Sequence, residues 1–498
     1  MKGLPPIRIR AINNEPVLGE GDYVLYWMIA FRRAHYNFSL QRAVEWAQKL
    51  KKPLVILEAL RCDYPWASDR LHRFVIEGMA DNAQHFAKKD VRYYAYLEPN
   101  CGDGKGLLKH LASRACVVVS DDFPCFFLPR MVEAAARRLQ VKLEVVDSNG
   151  LLPMRFAEKV FARAFDFRRF LQKSLLSHLA EMPLSDPLSR VKLPTLRELP
   201  QSVAKRWPSS SPAELLVARD RIQSFPIDHT VVPTEVRGGS QAATKALDDF
   251  LRHKLSHYES GRNQPEQEVT SGLSPYLHFG HVSAHQVFDA LSRLEDWTPG
   301  KIQGKPTGSS QGWWGTSPAA ESYLDELITW RELGYNMCWQ RPDYDQYESL
   351  PEWAQRTLQE HASDHRSYIY SREQFESALT HDPLWNAAQS QLVREGRIHN
   401  YLRMLWGKKI LEWTSSPREA LGFMIELNNK YALDGRNPNS YSGIFWVLGR
   451  YDRAWGPERP VFGKIRYMSS ENTARKVRVK EYIQRYCELE NRKGLDVG

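Results

Sequence analysis

Residues 428–468 read NNKYALDGRNPNSYSGIFWVLGRYDRAWGPERPVFGKIRYM and form the most informative segment of the chain. The letters DGRNPN indicate a tight turn, because Asp, Gly, Asn and Pro each favour sharp backbone geometry. The apolar run FWVLG that follows has the character of a buried segment. In the loop RYDRAWGPERP, three arginines surround one tryptophan, a combination that suits phosphates and unstacked bases. A solvated surface loop with one anchoring tryptophan would have the same composition.

The sequence motifs LDGRNPNSY and ERPVFGKIRYM, in this order, closely resemble the C-terminal signature of the class II DNA photolyases. The resemblance is close over residues 250–485 and looser before them. It implies light-driven repair of cyclobutane pyrimidine dimers in double-stranded DNA, by electron transfer from photoexcited reduced FAD to a flipped-out dimer. Photolyases are among the enzymes known to extrude their target base. The chain departs from the family pattern at Asn400, Asn437 and Ser440, and by one extra residue in AWGPERP.

Composition and charge are those of a globular protein with an anionic partner. The 498 residues are 42% hydrophobic and 26% charged, with a net charge of +9, which favours nucleic acid. The six cysteines show neither a CxxC pair nor metal-ligand spacing, so we expect reduced thiols and no metal site. No apolar run reaches membrane-spanning length, and the N-terminus lacks the apolar core of a signal peptide. We therefore expect a soluble intracellular monomer, cytoplasmic in a prokaryote and nuclear or organellar in a eukaryote.

The first third of the chain predicts a Rossmann-like α/β domain over residues 20–165. Apolar runs alternate with helical segments, which is typical of a doubly wound parallel sheet. The expected strands are 22–30, 53–60, 91–98, 116–122 and 141–147. Neither GxGxxG nor a Walker loop is found, which argues against the common dinucleotide and P-loop sites. The resemblance implies an antenna chromophore here, 8-hydroxydeazaflavin or a folate, although a purely structural domain fits the residues equally well.

The remainder predicts a linker and an all-helical domain. Residues 166–235 include a Pro- and Ser-rich stretch without sustained periodicity, which indicates an interdomain linker. From about residue 240 the apolar spacing becomes helical, so we expect an all-α, FAD-binding domain over 236–498. A Gly-rich insertion at 297–318 predicts a mobile loop.

The segment TSGLSP (270–275) contains the first candidate cofactor contacts. Ser274-Pro275 is typical of a helix start with a capping hydroxyl, and the free N–H groups of such an end suit a phosphate. An ordinary capped helix explains the same residues. The resemblance implies that this segment and residues elsewhere bind FAD. The expected FAD-binding residues are Tyr258, Thr270, Ser271, Gly272, Leu273, Ser274, Arg403, Asn428, Asp434 and Arg436.

One pair of residues points to a site for a flat, hydrogen-bonding ligand. Glu326 and Trp330 are four residues apart on a helical segment and therefore share a face. The resemblance implies that Glu326, protonated through burial, contacts a carbonyl group of the dimer. It also pairs Arg403 with Asp434 beside the flavin, and places Asn428 at flavin N5, where an amide can both donate and accept. Taken alone, a surface Glu and a core Trp explain the first pair.

Three tryptophans are candidates for an electron relay. Trp406 and Trp413 are seven residues apart, about 10 Å along one helix face. The resemblance implies that Trp406 lies next to the flavin, Trp385 lies beyond it, and Trp413 forms a side branch, whereas core packing is the simpler reading. The expected catalytic residues are Glu326, Asn428, Trp406, Trp385 and Trp413. The expected DNA-binding residues are Glu326, Trp330, Met404, Trp446, Arg450, Trp455, Arg459 and Arg466.

Two other functions fit parts of the sequence. A cryptochrome-like blue-light receptor would keep FAD and the tryptophans but would lose the lesion contacts. A nucleic-acid-binding protein without flavin would be colourless when purified. The presence of Glu326, Trp330, Trp446 and Arg466 favours repair.

Overall fold

A computed structural model describes residues 3–196, 198–217, 222–302 and 304–487. The chain forms two compact units, Met1–Glu158, Leu171–Leu251 and Gly272–Ile302 in the first, and Lys159–Phe170, Arg252–Ser271 and Gln303–Gly498 in the second. The domain bounds expected from the sequence stay predictions, because compactness groups residues by contact and not by independent folding. Within the described residues, no helix has the length and apolar character needed to cross a bilayer.

The first unit is built on a six-stranded sheet. Its strands are β1 Ile9–Ala11, β2 Tyr23–Met28, β3 Leu54–Leu60, β4 Arg92–Leu97, β5 Ala115–Asp121 and β6 Leu143–Val146, in the spatial order β1-β6-β5-β2-β3-β4. The five strands expected from the sequence pair in parallel, as predicted. The short edge strand β1 was not predicted, and it pairs antiparallel with β6. The α/β class is therefore confirmed, with a mixed sheet.

Burial on both faces explains the continuous apolar strands. All six residues of β2 and all seven of β5 are buried, and helices α1 Phe38–Leu50, α2 Asp69–Phe86, α3 Leu107–Ala112 and α4 Leu128–Ala136 connect the strands. Each fully buried Val or Ile side chain contributes about 1.5–3 kcal/mol relative to exposure. The side chain of Asn37 starts α1 by accepting a hydrogen bond from the Leu40 N–H group at 3.1 Å.

A carboxylate joins β5 to β2 where the strand order reverses. Asp121 Oδ2 accepts hydrogen bonds from the backbone N–H groups of Ile29, Ala30 and Phe31 at 2.8–2.9 Å. Its Oδ1 accepts a hydrogen bond from the Tyr26 hydroxyl at 2.8 Å. Open α/β sheets commonly bind ligands at this point, but here a side chain of the protein itself occupies the N–H groups.

After Val146, the described chain contains helices and isolated bridges but no β-strand. The helices are α5 Ala164–Ser174, α6 Gln201–Arg206, α7 Pro212–Leu216, α8 Ser240–Asp249, α9 Leu255–Gly261, α10 Ser274–Phe279, α11 Ala284–Leu294, α12 Pro318–Leu324, α13 Arg331–Gln340, α14 Glu352–Glu360, α15 Arg372–Glu376, α16 Pro383–Glu395, α17 Asn400–Glu412, α18 Pro417–Tyr431, α19 Pro438–Val447, α20 Ser470–Lys476 and α21 Lys480–Cys487. Two π-helical segments, Phe250–Lys254 and Asp325–Trp330, join α8 to α9 and α12 to α13. The predicted helical character is confirmed for the described residues from 236 onward. Residues 166–235, expected to form a linker, also contain helices α6 and α7 and most of α5.

Helix α17 lies at the centre of the second unit, where it packs against α16, α18 and α19. Close approach requires glycine at Gly407, because a Cβ atom there would lie 2.5 Å from Val447 in α19 and 3.0 Å from Met424 in α18. Gly334 has the same role where α13 meets α19. These closely packed helices carry the residues of the candidate site.

Part of the segment expected to be a mobile loop is anchored. Both Trp313 and Trp314 are buried, and the Glu321 carboxylate accepts hydrogen bonds from their backbone N–H groups at 2.8 and 3.0 Å. The glycines of this segment are visible in the sequence. The contact of Glu321 with the backbone N–H groups of Trp313 and Trp314, eight and seven residues before it, is not.

Candidate functional site

Glu326 and Trp330 lie in the π-helical segment Asp325–Trp330. Single π-helical turns inside α-helices are frequent at functional sites, because they redirect side chains that a regular helix would point elsewhere. Arg168 holds the start of this segment through two hydrogen bonds to the Asp325 carboxylate, at 2.7 and 2.8 Å. The paired oxygens and two parallel N–H donors form the strong, directional type of ion pair.

Arg262 is the partner of Glu326. Its Nη1 donates a hydrogen bond to Glu326 Oε1 at 2.6 Å, and each side chain is 30% exposed. Burial raises the pKa of the Glu326 carboxyl above its usual value, while Arg262 opposes the rise. The protonated state of Glu326 stays a prediction, and its charged partner Arg262 was not predicted. The contact joins residues 64 positions apart, so spacing alone could not reveal it.

Trp330 and Trp446 form an aromatic stack. Their ring centroids are 4.8 Å apart and the planes are inclined by 20°. Trp446 is near the end of α19, and its buried indole N–H has no hydrogen-bond partner in the described part of the chain. The structure thus brings together two residues that the sequence analysis assigned separately to the lesion site.

The paired asparagines lie at the end of α18, and both are buried. The Asn428 amide donates a hydrogen bond to Ser440 Oγ at 2.7 Å, and Ser440 is one of the departures from the family pattern. The neighbouring Asn429 accepts a hydrogen bond from the Arg436 backbone N–H at 2.8 Å. The side chains of Arg403 and Asp434 meet at 3.4 Å, as expected for the predicted pair.

Two arginines assigned to ligand contacts, Arg436 and Arg450, are buried. The Arg436 guanidinium donates to the backbone carbonyls of Ala432 and Leu433 at the end of α18. Arg450 is 3% exposed, donates to the Tyr344 carbonyl at 2.8 Å and stacks over the Phe445 ring at 3.7 Å. The geometry does not support the predicted phosphate contact of Arg450, because its guanidinium faces the protein interior.

The three candidate relay tryptophans are buried and connected. The Trp385 indole N–H donates to the backbone carbonyl of Trp406 at 2.9 Å, and the Trp406 indole donates to Gln389 Oε1 at 2.9 Å. The rings of Trp385 and Trp413 are 6.1 Å apart between centroids. Beyond them, the Tyr370 ring lies 5.8 Å from the Trp413 ring.

Tyr370 continues this aromatic series toward solvent. Its hydroxyl is hydrogen-bonded to His381 Nδ1 at 2.7 Å, and the exposed Tyr368 stacks on His381 with a centroid distance of 3.8 Å. The sequence analysis missed these residues. The local sequences around them, SYIYS and THD, show no helical or strand periodicity, and only the fold places these residues next to Trp413.

The TSGLSP segment crosses the boundary between the two units. Thr270 and Ser271 belong to the second unit, and Gly272, Leu273 and Ser274 to the first. Helix α10 begins at Ser274 and its N-cap is Leu273, which makes no side-chain cap. The expectation of a capping hydroxyl at Ser274 is wrong, because the residue lies one position inside the helix.

Tyr258, in α9, is buried within the second unit. Its ring meets that of Tyr323 edge-on at 5.3 Å between centroids, and Arg262 lies over the same ring at 5.7 Å. Burial raises the pKa of the Tyr258 hydroxyl well above its usual value, so the phenol stays protonated near neutrality. It can therefore serve as a hydrogen-bond donor.

The loop after α19 forms a basic and aromatic cavity of about 300 Å³. Arg453 and Arg466 each lie over the Trp455 ring, at 4.7 and 5.2 Å from its centroid, and Arg459 lies over Tyr467 at 4.7 Å. Arg459 and Arg466 are exposed and line the cavity with Lys476. Cations held against aromatic faces suit single-stranded nucleic acid.

Lys408 is a buried cation that the sequence analysis also missed. Its ammonium group donates to the Val447 carbonyl at 2.5 Å, at the end of the helix that carries Trp446. Burial lowers the pKa of Lys408 to about 7, with Arg466 lowering it further and Asp452 opposing. The residue ties α17 to the end of α19.

The second unit contains buried polar atoms of the kind that a polar cofactor such as FAD satisfies. Arg403 Nε, Trp446 Nε1 and both ring nitrogens of His399 are buried and have no hydrogen-bond partner in the described residues. Buried polar atoms without partners are rare in native proteins, since each one costs about 1–3 kcal/mol. A planar ligand with several hydrogen-bonding atoms would satisfy such groups.

Comparison with known proteins gives long matches. The chain is 36% identical over 479 residues to a deoxyribodipyrimidine photo-lyase from Methanothermobacter thermautotrophicus, covering 96% of this chain and 97% of that protein. It is 35% identical to the protein of that name from Oryza sativa subsp. japonica, covering 93% of this chain and 87% of that protein, and 31% identical to the one from Potorous tridactylus, covering 95% and 83%. A search against models of protein families gives no match.

A solved structure supports the fold. The crystal structure of a class III photolyase from Agrobacterium tumefaciens matches with a TM-score of 0.66 and 18% identity, over 94% of this chain and 86% of that one. The identity is low, so this likeness concerns the architecture alone. Because the sequence matches are long and exceed 30% identity, the chain belongs to the deoxyribodipyrimidine photo-lyase family.

Proposed function

We propose that this protein is a light-driven DNA-repair enzyme that splits cyclobutane pyrimidine dimers. The observation that carries the proposal is the Trp330–Trp446 stack beside the Glu326–Arg262 pair, within a chain of the photo-lyase family. Aromatic plates bind unstacked bases, and the ion pair offers hydrogen-bonding groups to base carbonyls. The sequence motifs LDGRNPNSY and ERPVFGKIRYM support assignment to class II.

FAD is the proposed cofactor, and when bound it supplies a light-excited electron donor. Asn428, Arg403 and Asp434 would hold its ring system, with Tyr258, Thr270 and Ser271 as further contacts. The Asn428 amide is oriented by Ser440, and Arg403 Nε, which has no partner among the described residues, could bind a cofactor atom. The protein holds these side chains in place through its own contacts, so they would be positioned to form hydrogen bonds with the cofactor when it binds.

The substrate contacts follow from the same unit. Trp330 and Trp446 would hold the flipped bases, and Met404, half-buried in α17, is a further candidate contact. Glu326 and Arg262 would hold the polar edge of the dimer. A carboxyl whose pKa is raised by burial can donate a proton in a hydrogen bond, provided that Arg262 moves to a substrate oxygen.

The basic cavity would contact the rest of the DNA. The cavity would offer two cations, Arg459 and Arg466, and the aromatic face of Trp455. These groups would contact the DNA around the gap in the base stack that the flipped dimer leaves. Phosphate contacts provide sequence-independent affinity that falls with salt. The protein's positive charge of +9 agrees with a nucleic acid partner.

The tryptophan series would carry electrons to the cofactor site. Trp385 is hydrogen-bonded to the carbonyl of Trp406, and this contact fixes the two residues relative to each other. Tyr370 can pass its hydroxyl proton to His381 Nδ1 when it is oxidised, because the two atoms are 2.7 Å apart. An antenna chromophore on the α/β unit, a monomeric state and an intracellular location are parts of the same proposal.

The proposed function is tested by purifying the protein and measuring its absorbance and its binding to DNA. We expect the spectrum of a bound flavin, and tighter binding to an oligonucleotide with one thymine dimer than to its undamaged counterpart. Bound flavin without this preference would favour the receptor function. A colourless protein that binds both oligonucleotides equally would refute the cofactor assignment.

A further inference from the structure

Two cysteines meet at the edge of the sheet where β3 and β4 end. Cys62 follows β3 by two residues and Cys101 follows β4 by four. The two strands pair in parallel with Leu60 beside Leu97, so both chains leave the sheet at the same edge. The Cys62 and Cys101 sulfur atoms are 3.7 Å apart. A disulfide bond is about 2.05 Å long, so a further approach of about 1.7 Å would join them.

The Glu98 carboxylate holds the backbone on both sides of this pair. Its Oε2 accepts the Cys62 backbone N–H at 3.1 Å and lies 3.5 Å from the Cys62 sulfur. Its Oε1 accepts the Gly104 backbone N–H at 2.9 Å, in the turn that contains Cys101. The two backbone bonds do not involve a thiol, so oxidation at sulfur removes neither their N–H donors nor their carboxylate acceptor.

A buried indole fixes the same turn from its other side. Trp207 donates its ring N–H to the Asp103 carbonyl at 2.8 Å and is 1% exposed. The Tyr94 hydroxyl in turn donates to the Trp207 carbonyl. Cys101 therefore faces Cys62 because its turn is anchored, and not through a chance approach of two loose segments.

We infer that Cys62 and Cys101 are a dithiol that closes to a disulfide when the protein meets a two-electron oxidant such as hydrogen peroxide. The exposed Cys101 sulfur attacks the peroxide, an S–O bond forms, the O–O bond breaks and water leaves. The Cys62 sulfur then attacks the Cys101 sulfur, the S–O bond breaks and a second water leaves. The two thiols lose two electrons in total, and the Cys62 proton, directly or through Glu98, joins the departing hydroxide to form that second water.

The different surroundings of the two thiols assign the order of the steps. Burial raises the pKa of the Cys62 thiol well above its usual value, with further contributions from Cys101 and Glu98. The buried thiol is a poor first nucleophile, since the thiolate is the reactive form. Once formed, the bond would close a loop spanning 39 positions, which contains α2 and β4, and would restrict the unfolded chain.

The test uses the full chain, purified with its thiols reduced and treated with a small excess of hydrogen peroxide. After alkylation and digestion, we expect free thiols to fall from the six of the sequence to about four and a Cys62–Cys101 linked peptide to appear. Cys116→Ser should leave the link intact, since that thiol is buried in β5. Cys101→Ser should abolish it.

Two results would overturn the inference. One is oxidation of Cys101 to a sulfinic acid while Cys62 stays a free thiol, since this would show that the sulfurs do not meet. The other is a Cys101–Cys101 link between chains as the main product. The wild-type measurement decides the question without a variant, so a misfolded Cys101→Ser protein would not obscure it. The linked peptide should also form more slowly in urea, where the anchored turn is lost.

Discussion

Replacing Trp446 with alanine removes one plate of the aromatic stack and tests the proposed lesion site. The ring lies 4.8 Å from the Trp330 ring, and its buried N–H group has no partner in the described chain. Stacking of one base on an aromatic side chain contributes about 1–3 kcal/mol. At about 1.4 kcal/mol per tenfold change, Trp446→Ala should weaken binding of dimer-containing DNA about 5- to 150-fold.

The assay is fluorescence anisotropy with a labelled duplex containing one thymine dimer and with its undamaged counterpart, at one fixed salt concentration. The undamaged duplex keeps its bases stacked, so its dissociation constant should change less than about threefold. Trp446→Phe keeps a smaller plate and should lose less affinity. The matched control is Trp46→Ala. Trp46 is also half-buried but lies in α1, so its loss should not change the preference for damaged DNA.

Equal weakening of damaged and undamaged DNA would refute this reasoning, because it would show that the stack contributes only to folding. The melting temperature separates the two effects. If Trp446→Ala and Trp46→Ala are destabilised alike and only the former loses preference for the dimer, the stack is a binding surface.

Three further predictions concern the buried polar groups and the relay. Trp385→Phe should abolish photoreduction of the bound flavin while leaving dimer repair by chemically reduced enzyme intact, because Trp385 lies between Trp406 and Trp413. Ser440→Ala should lower the free energy of unfolding by about 1–3 kcal/mol and shift the flavin absorbance, because the Asn428 amide loses its acceptor. Lys408 has a pKa of about 7 when folded and about 10.4 when unfolded, so the unfolded chain binds the extra proton between these values. The stability of wild type relative to Lys408→Met should therefore rise with pH from about 7 to 10, by up to about 1.4 kcal/mol per unit.

Each prediction has a result that would contradict it. Undiminished photoreduction in Trp385→Phe would remove that residue from the relay, and Trp297→Phe is the control at a buried tryptophan of the first unit. An unchanged flavin spectrum and stability in Ser440→Ala would show that water replaces the hydroxyl. A stability difference for Lys408→Met that is flat with pH in urea titrations would show that the folded lysine keeps an ordinary pKa.

The strands and helices were largely predictable because their burial leaves a periodic pattern. The five parallel strands are continuous apolar runs, whereas β1 has three residues, IRA, of which none is fully buried. A strand of three residues has no pattern of its own, and only pairing with β6 reveals it. Ser274 was expected to be the N-cap, but it is the first residue inside the helix. The prediction was one residue off because a Ser-Pro pair occurs both at the N-cap and just after it.

The candidate site was predictable in its residue types but not in its contacts. Arg450 and Arg459 occur in one Arg-rich loop, and composition cannot show that the first points into the protein and the second outward. The Glu326–Arg262 contact and the Cys62–Cys101 contact each join distant positions through the fold. Such pairs depend on how helices and strands pack, which a single sequence does not encode locally.

The central claim is tested most directly by following the loss of one thymine dimer in a duplex under blue light. The flavin-loaded protein is reduced first, and the product is quantified by chromatography against a dark control. The account predicts restored thymines in the light, none in the dark, and strongly reduced repair by Trp446→Ala at limiting DNA. Flavin-loaded, DNA-binding protein that leaves the dimer intact in the light would contradict the claim.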